Sequence, residues 1–254
     1  MTPAQRYALE SNIRPGAGIL DQNADRVIVW RPDWPMAGPN SVRRVTCSAE
    51  RLHAVIAEVR AQAAERGVKL NWQLDEANRS ELEPILLAHG MQPDGEVTIL
   101  EFAADIEEPP VPGLELADGM VDLESFRRHH ATVAAGFRDS DLPLVEGDMR
   151  DRYAAALATD VRQVTALVFG EPAGGGSLHV ERDGATLGGA AVLPRFRGRG
   201  IYRALVAERV RLAAELGAPL VIINARQTSR PILERLGFEP IGRWWGYLEK
   251  EDAG

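Results

Sequence analysis

The run Val192-Leu-Pro-Arg-Phe-Arg-Gly-Arg-Gly-Ile-Tyr-Arg-Ala-Leu205 packs Arg195, Arg197, Gly198, Arg199 and Gly200 between two apolar segments. A strand pattern stops at Pro194, and a helical pattern starts at Ile201. The two glycines allow backbone conformations barred to other residues and let a ligand approach the chain closely. The first amides of a helix have no partners inside it, and its dipole favours negative charge there. Together these features make a cradle for phosphate or pyrophosphate. Two well-known phosphate loops do not fit. The P-loop needs a Gly-Lys-Ser/Thr ending and there is no lysine nearby; the dinucleotide fingerprint meets Arg203 where its third glycine belongs.

The segment resembles the acyl-coenzyme A loop of the GNAT acetyltransferase superfamily. Arg195-x-x-Gly198-x-Gly200 matches the Q/R-x-x-G-x-G/A motif of that family, with a Val-x-Pro lead-in and a long helix behind it. Further on, Ser229-Arg-Pro-Ile-Leu-Glu-Arg-Leu-Gly-Phe238 resembles its later motif, a short helix ending in Leu-Gly-Phe. The resemblance runs from about Gly113 to Lys250. It implies an acetyl-CoA co-substrate and no metal. The amides of Arg197 to Tyr202, those of Gly198, Arg199, Gly200 and Ile201 included, would hold the pyrophosphate, with Arg195, Arg197 and Arg199 adding positive charge. The pantetheine arm would lie in a gap between splayed strands, bonded to the backbone of Val192 and Leu193, and Ser229 joins these cofactor-binding residues. A strand amide would polarise the acetyl carbonyl, and a deprotonated amine would attack the thioester directly.

The proton chemistry is less marked. The family tyrosine that protonates the departing thiolate falls at Leu233, and Tyr202, Tyr247, Ser229 or water are the substitutes available. The strand before the loop, Thr186-Leu-Gly-Gly-Ala-Ala-Val192, carries no acid to serve as base. Its small residues make room either for a bulky acceptor or for close strand packing. On the strand before that, Ser177, His179 and Glu181 alternate with Leu178 and Val180 and so share a face. His179 or Glu181 is the candidate base; the other reading of each is a solvated sheet face. His129 and His130 have no metal-ligand company and read as structural. Phe137-Arg-Asp139 is a candidate rim for the acceptor.

These residues need elements to position them. Beyond the proline-rich segment 105–112, the pattern gives a short strand at 114–116 and helices over 123–135 and 148–157. Three strands follow at 163–169, 177–181 and 185–193, with Glu171-Pro-Ala-Gly-Gly-Gly176 read as a hairpin turn. Then come a helix over 201–216, a strand at 220–224, a short helix over 230–236 and two short closing strands. The N-terminal part repeats the last portion of this order: a strand at 42–46, a helix capped by Ser48 and ending at Gly67, a strand at 70–74, a helix at 80–88 and a strand at 97–102. Its turn, Arg43-Arg-Val-Thr-Cys-Ser-Ala-Glu50, has no glycine, so this copy should not bind coenzyme A. Chance likeness of two generic β-α-β-α-β runs is the competing reading. The expectation is an α/β (α+β) chain with a mixed, mostly antiparallel GNAT sheet flanked by helices. Residues 1–104 would be a degenerate GNAT-like unit, 105–112 a linker and 113–254 the catalytic domain. The loop at 31–39 would be an acceptor lid, and Trp30, Trp34, Trp72, Trp244 and Trp245 read as core packing or as contacts between the halves.

Composition sets the outer bounds. The chain has 254 residues, 45% hydrophobic and 26% charged, enough for a proper core. A net charge of -8 disfavours nucleic acid and anionic membrane surfaces as partners, and makes the three loop arginines a local exception. One cysteine, Cys47, excludes an internal disulfide and a multi-cysteine zinc site. With no signal-like or membrane-spanning run, the expected setting is the cytoplasm, as monomer or homodimer, with a small-molecule or peptide amine as acceptor. The leading expectation is an acetyl-CoA-dependent N-acetyltransferase; the alternative is a non-catalytic acyl-CoA-binding sensor or scaffold.

Overall fold

A computed structural model describes residues 1–12, 18–31, 37, 38, 40–102, 106, 110–137 and 146–249. The chain forms two compact units. The first comprises Met1–Ile99, Ala225–Arg230 and Pro240–Gly254; the second comprises Leu100–Asn224 and Pro231–Glu239. The sequence places one boundary at 105–112. In the structure the C-terminal residues return to the first unit, because their strand has its pairing partner there.

The first unit begins with helix α1 (Pro3–Asn12) and strands β1 (Ile19–Gln22) and β2 (Arg26–Trp30), which the sequence pattern did not reveal. The elements then follow in the order read: β3 (Ser41–Val45), α2 (Ala49–Arg66), β4 (Asn71–Asp75), α3 (Arg79–Ala88) and β5 (Gln92–Phe102). Ser48 caps α2 by accepting the Arg51 amide, and Gly67 ends it with φ of 64°. Strands β3 and β4 are parallel, joined by α2 as a crossover. The last strand, β11 (Glu239–Leu248), pairs antiparallel with β4. It is one continuous strand where the sequence suggested two short ones, since residues 244–248 are paired without a break. Trp30, Trp72 and Tyr247 are fully buried in this unit's core with Leu52, Ile56 and Leu86.

In the second unit, β6 (Leu114–Asp118), α4 (Leu123–Phe137) and α5 (Glu146–Leu157) precede a meander of β7 (Val161–Val168), β8 (Glu171–Glu181) and β9 (Gly184–Val192). Helix α6 (Ile201–Glu215), strand β10 (Val221–Arg226) and the short helix α7 (Arg230–Arg235) complete the run. The strand order is β10-β9-β8-β7-β6, antiparallel except for the parallel β9/β10 pair. Val164, Ala166 and Val168 of β7 face Ile201 and Leu205 of α6. The other face of β7 presents Gln163 and Thr165 to His130 and His129 of α4.

The hairpin turn between β7 and β8 lies at Phe169-Gly170 and not at the glycine run. Gly174, Gly175 and Gly176 sit within β8 because neighbours press on the strand. A Cβ on Gly174 would stand 2.7 Å from Ala191 O, one on Gly175 3.0 Å from the His129 ring, and one on Gly176 2.8 Å from the Arg209 guanidinium. The triplet that resembles a turn is therefore a packing requirement.

Candidate active site

The loop between β9 and α6 starts with a 3-10 turn, Pro194–Phe196, in which Phe196 N–H donates to Leu193 O at 2.9 Å. Phe196 is buried against Val192, Ile201 and Leu205 and anchors the loop to the core. Gly198 and Gly200 then take φ of 76° and 88°. A Cβ on Gly198 would meet nothing within 4 Å, so backbone conformation alone demands glycine there. The first α6 ladder bond runs from Ala204 N–H to Gly200 O at 3.1 Å, which leaves the amides ahead of it at the helix mouth.

The three arginines divide the work. Arg195 pairs with Glu171 and lies over the Phe196 ring with its guanidinium carbon 4.9 Å from the centroid; that of Arg199 stands 5.5 Å from the same ring. Arg197 folds inward instead. Its Nε donates to Val192 O at 3.0 Å and an Nη to Gly136 O, near the end of α4, at 2.9 Å. It ties the end of β9 to the C-terminal turn of α4, where a cation meets the favourable end of the helix dipole.

Strand β9 pairs with β10 only over Ala185, Thr186 and Leu187. On its other edge the β8 register slips: Leu178 opposes Leu187, and Gly176 opposes Ala190. Gly188 and Gly189 thus share a single partner, Ser177, in a β-bulge. Beyond it, Leu193 N–H donates to Ala173 O at 2.9 Å, so alternation turns the N–H groups of Ala190 and Val192 toward the β10 side. Both backbone groups of Leu193 are engaged within the protein, which leaves Val192 as the better strand donor of that pair.

The bulge also brings neighbouring side chains over its two glycines. A Cβ on Gly188 would collide with Ser177 Oγ at 2.1 Å and stand 3.3 Å from His179 Nε2; one on Gly189 would stand 3.5 Å from Phe137 of α4. His179 is solvent-exposed, yet protein crowds its ring and desolvation lowers its pKa from the ordinary imidazole value of 6.5. It is therefore neutral at pH 7 and able to accept a proton. Glu181 lies further along the same strand, paired with Gly184 at the far hairpin. It lines a separate polar hollow with Asp160, Arg162 and Arg182. The structure thus brings His179 to the bulge and leaves Glu181 away from it.

Beneath the bulge lies a residue that the sequence reading passed over. Arg209 of α6 is fully buried. Its Nε donates to Leu205 O at 2.8 Å, and Nη1 donates to both Ser177 O and Gly188 O at 3.0 Å. Desolvation lowers its pKa to about 10. The available signal was its place one helical turn after Leu205, on the apolar stripe of α6.

The remaining candidates have other surroundings. His129 is buried beside Thr165 Oγ1 at 3.1 Å, and burial holds its pKa at about 3; it packs the helix to the sheet. Leu233 of α7 is fully buried core. Tyr247 and Ser229 belong to the first unit. There the Tyr247 hydroxyl donates to Glu83 at 2.7 Å, and the Ser229 hydroxyl donates to Arg226 O at 3.2 Å. The glycine-free turn of that unit has its Thr46 and Cys47 amides tied to Asp25 O. Residues 32–36, 39, 138 and 139, where the lid and part of the acceptor rim were expected, lie outside the described residues. Among the described residues no group of three or more His, Cys, Asp and Glu is placed to hold a metal ion, and no helix is long and apolar enough to cross a membrane.

Residues 127–238 match the model of the acetyltransferase (GNAT) family. No curated protein matches the sequence. Among solved structures, a GCN5-related N-acetyltransferase from Kribbella flavida aligns with a TM-score of 0.69 at 16% identity, covering 98% of this chain and 95% of that one. One from Sphaerobacter thermophilus aligns at 0.61 and 16%, covering 94% and 84%. A tandem GNAT protein from the clavulanic acid biosynthesis pathway aligns at 0.56 and 17%, covering 98% and 88%. Likeness at such identities speaks to fold alone. With the family match and the motif geometry, the chain carries a domain of the GNAT acetyltransferase superfamily over residues 127–238.

Proposed function

We propose that this protein is an acetyl-CoA-dependent N-acetyltransferase, acting on an amine of a small molecule, amino acid derivative or peptide. The family supports acyl transfer in general. The observation that carries the finer reading is the junction at the end of β9. A strand that loses its β10 partner after Leu187 runs straight into two left-handed glycines and a helix mouth.

That junction fits coenzyme A. The amides of Gly198 to Tyr202, Ile201 among them, would hold the pyrophosphate; a helix mouth without intrahelical partners suits that role, and an added Cβ on Gly198 would have no neighbour within 4 Å. Arg199 would supply a counter-charge, Arg195 would add a second by exchanging Glu171 for the phosphate, and Arg197 braces the loop. Val192 N–H would hold the pantetheine amide. When bound, acetyl-CoA supplies a thioester-activated acetyl group. His179, neutral and at the bulge, is the base that would take the proton from the acceptor amine. Glu181 would act only through water. Since Leu233 is core, no side chain is assigned to protonate the thiolate, which is stable enough to leave without an acid. The first unit, lacking a glycine loop, is proposed as a degenerate GNAT-like partner with no cofactor of its own.

Calorimetric titration with acetyl-CoA, followed by a free-thiol assay over a panel of amines, tests this reading. Saturable binding with amine-dependent thiol release is the expected result. Absence of acetyl-CoA binding would overturn the reading, and binding with no turnover across a broad panel would favour a sensor.

A further inference from the structure

The orientation of one peptide at the β9 bulge depends on a buried cation. Arg209 has no exposed surface, and one of its nitrogens, Nη2, is buried without a hydrogen-bond partner. Burying a guanidinium in this way is costly, so the contacts that it does make call for a reason. Nη1 bridges Ser177 O and Gly188 O, the two carbonyls that flank the register slip between β8 and β9. Gly176 keeps the space open: a Cβ there would stand 2.8 Å from the guanidinium carbon.

A trans peptide sets its C=O and N–H antiparallel, and the described chain contains no cis peptide. With Gly188 O drawn to Arg209 on the α6 side, the N–H of the same peptide, that of Gly189, points to the opposite side. That is the side of Phe137 and His179: Ser177 Oγ stands where a Cβ of Gly188 would be, and a Cβ on Gly189 would be in ordinary contact with Phe137 at 3.5 Å, so Gly188 has to be glycine for the peptide to face these side chains. The charged hydrogen bond on the carbonyl also polarises the peptide and strengthens its N–H as a donor.

We propose that Arg209 is a positioning residue: it holds the Gly188–Gly189 peptide so that the Gly189 amide donates to the acyl carbonyl of the donor thioester. This rests on the acetyl-CoA reading above and adds to it the identity of the amide and the device that aims it. Removal of Arg209 would let the Gly188 carbonyl turn back toward the sheet. Coenzyme A would still bind through the 195–202 loop, but the carbonyl would lose its partner.

The test needs no knowledge of the acceptor. Two inert ligands are titrated calorimetrically: S-(2-oxopropyl)-coenzyme A, which carries a ketone near the position of the thioester carbonyl, and S-propyl-coenzyme A, which lacks it. The wild-type protein should prefer the ketone by about fivefold, the worth of one hydrogen bond. Arg209→Met should bind both with equal affinity, and Arg209→Lys, which can still reach one carbonyl, should retain part of the preference. A purely structural role would change melting temperature or both affinities together and leave their ratio intact. An unchanged ratio in Arg209→Met overturns the proposal, as does a wild-type protein that binds both ligands equally. If Arg209→Met does not fold, an undiminished ratio in Arg209→Lys overturns it instead. Failure of the wild-type protein to bind either ligand is a different result and sinks the acetyl-CoA reading itself.

Discussion

A methyl group added at Gly198 separates the cost of a strained backbone from the cost of a lost ligand contact. Gly198 has φ of 76° and nothing within 4 Å of its would-be Cβ. Gly217, just past the other end of α6, has the same φ of 76° and the same open surroundings. Alanine at either site should therefore destabilise by about 1 kcal/mol through the left-handed backbone alone. For a chain of this size that is a fall in melting temperature of about 2–4 °C. The two variants differ only in what the open space is for. At Gly198 the methyl would stand where, on the proposed coenzyme A reading, a pyrophosphate would meet the loop amides. Loss of one charge-assisted hydrogen bond there is worth about 1.5–3 kcal/mol, or roughly 10- to 100-fold in affinity. Differential scanning calorimetry gives the stability of both variants, and isothermal titration with coenzyme A gives the affinity. Equal melting shifts with weaker binding only in Gly198→Ala are expected. If Gly198→Ala binds coenzyme A as tightly as Gly217→Ala does, the phosphate cradle is not at this loop.

Three further outcomes follow from the same geometry. As the proposed base, His179 would work in its neutral form, and its pKa lies below 6.5, so kcat/KM should fall as pH drops through that lower value; His179→Asn should remove this acid limb, and a limb that survives would exclude His179 as the base. His129 is held neutral with a pKa of about 3 against 6.5 unfolded, so the unfolded chain binds the extra proton as pH falls. Its contribution is complete above pH 6.5 and is lost toward pH 3, at up to about 1.4 kcal/mol per pH unit; thermal melts between pH 7 and 5 should show the loss, and His129→Gln should flatten it. Leu233→Tyr would put a larger ring into a fully buried site, costing about 1–3 kcal/mol in a denaturant melt; a neutral outcome would mean that the α7 core has room for the family tyrosine.

The parts legible in the sequence were those governed by neighbours along the chain. Ser48 and Gly67 bound α2 because capping is settled within one turn. Gly198 and Gly200 announced their loop because left-handed backbone is a property of the residue itself. The parts missed depend on distant contacts. Gly174-Gly-Gly176 has the composition of a turn, but it lies in β8 because α4, α6 and β9 crowd that strand. The C-terminal residues look like the end of the second domain, yet β11 pairs with β4 in the first unit.

The sequence by itself determined the form of the loop between β9 and α6: a helix mouth with two left-handed glycines and its arginines is specified within ten residues. Only the tertiary structure decided how the adjoining strand is aimed. The bulge at Gly188-Gly189, the approach of His179 to it and the buried Arg209 beneath it arise from the register of β9 against β8 and the seating of α6. Register and burial are set by which surfaces meet, and no single stretch of chain carries that information.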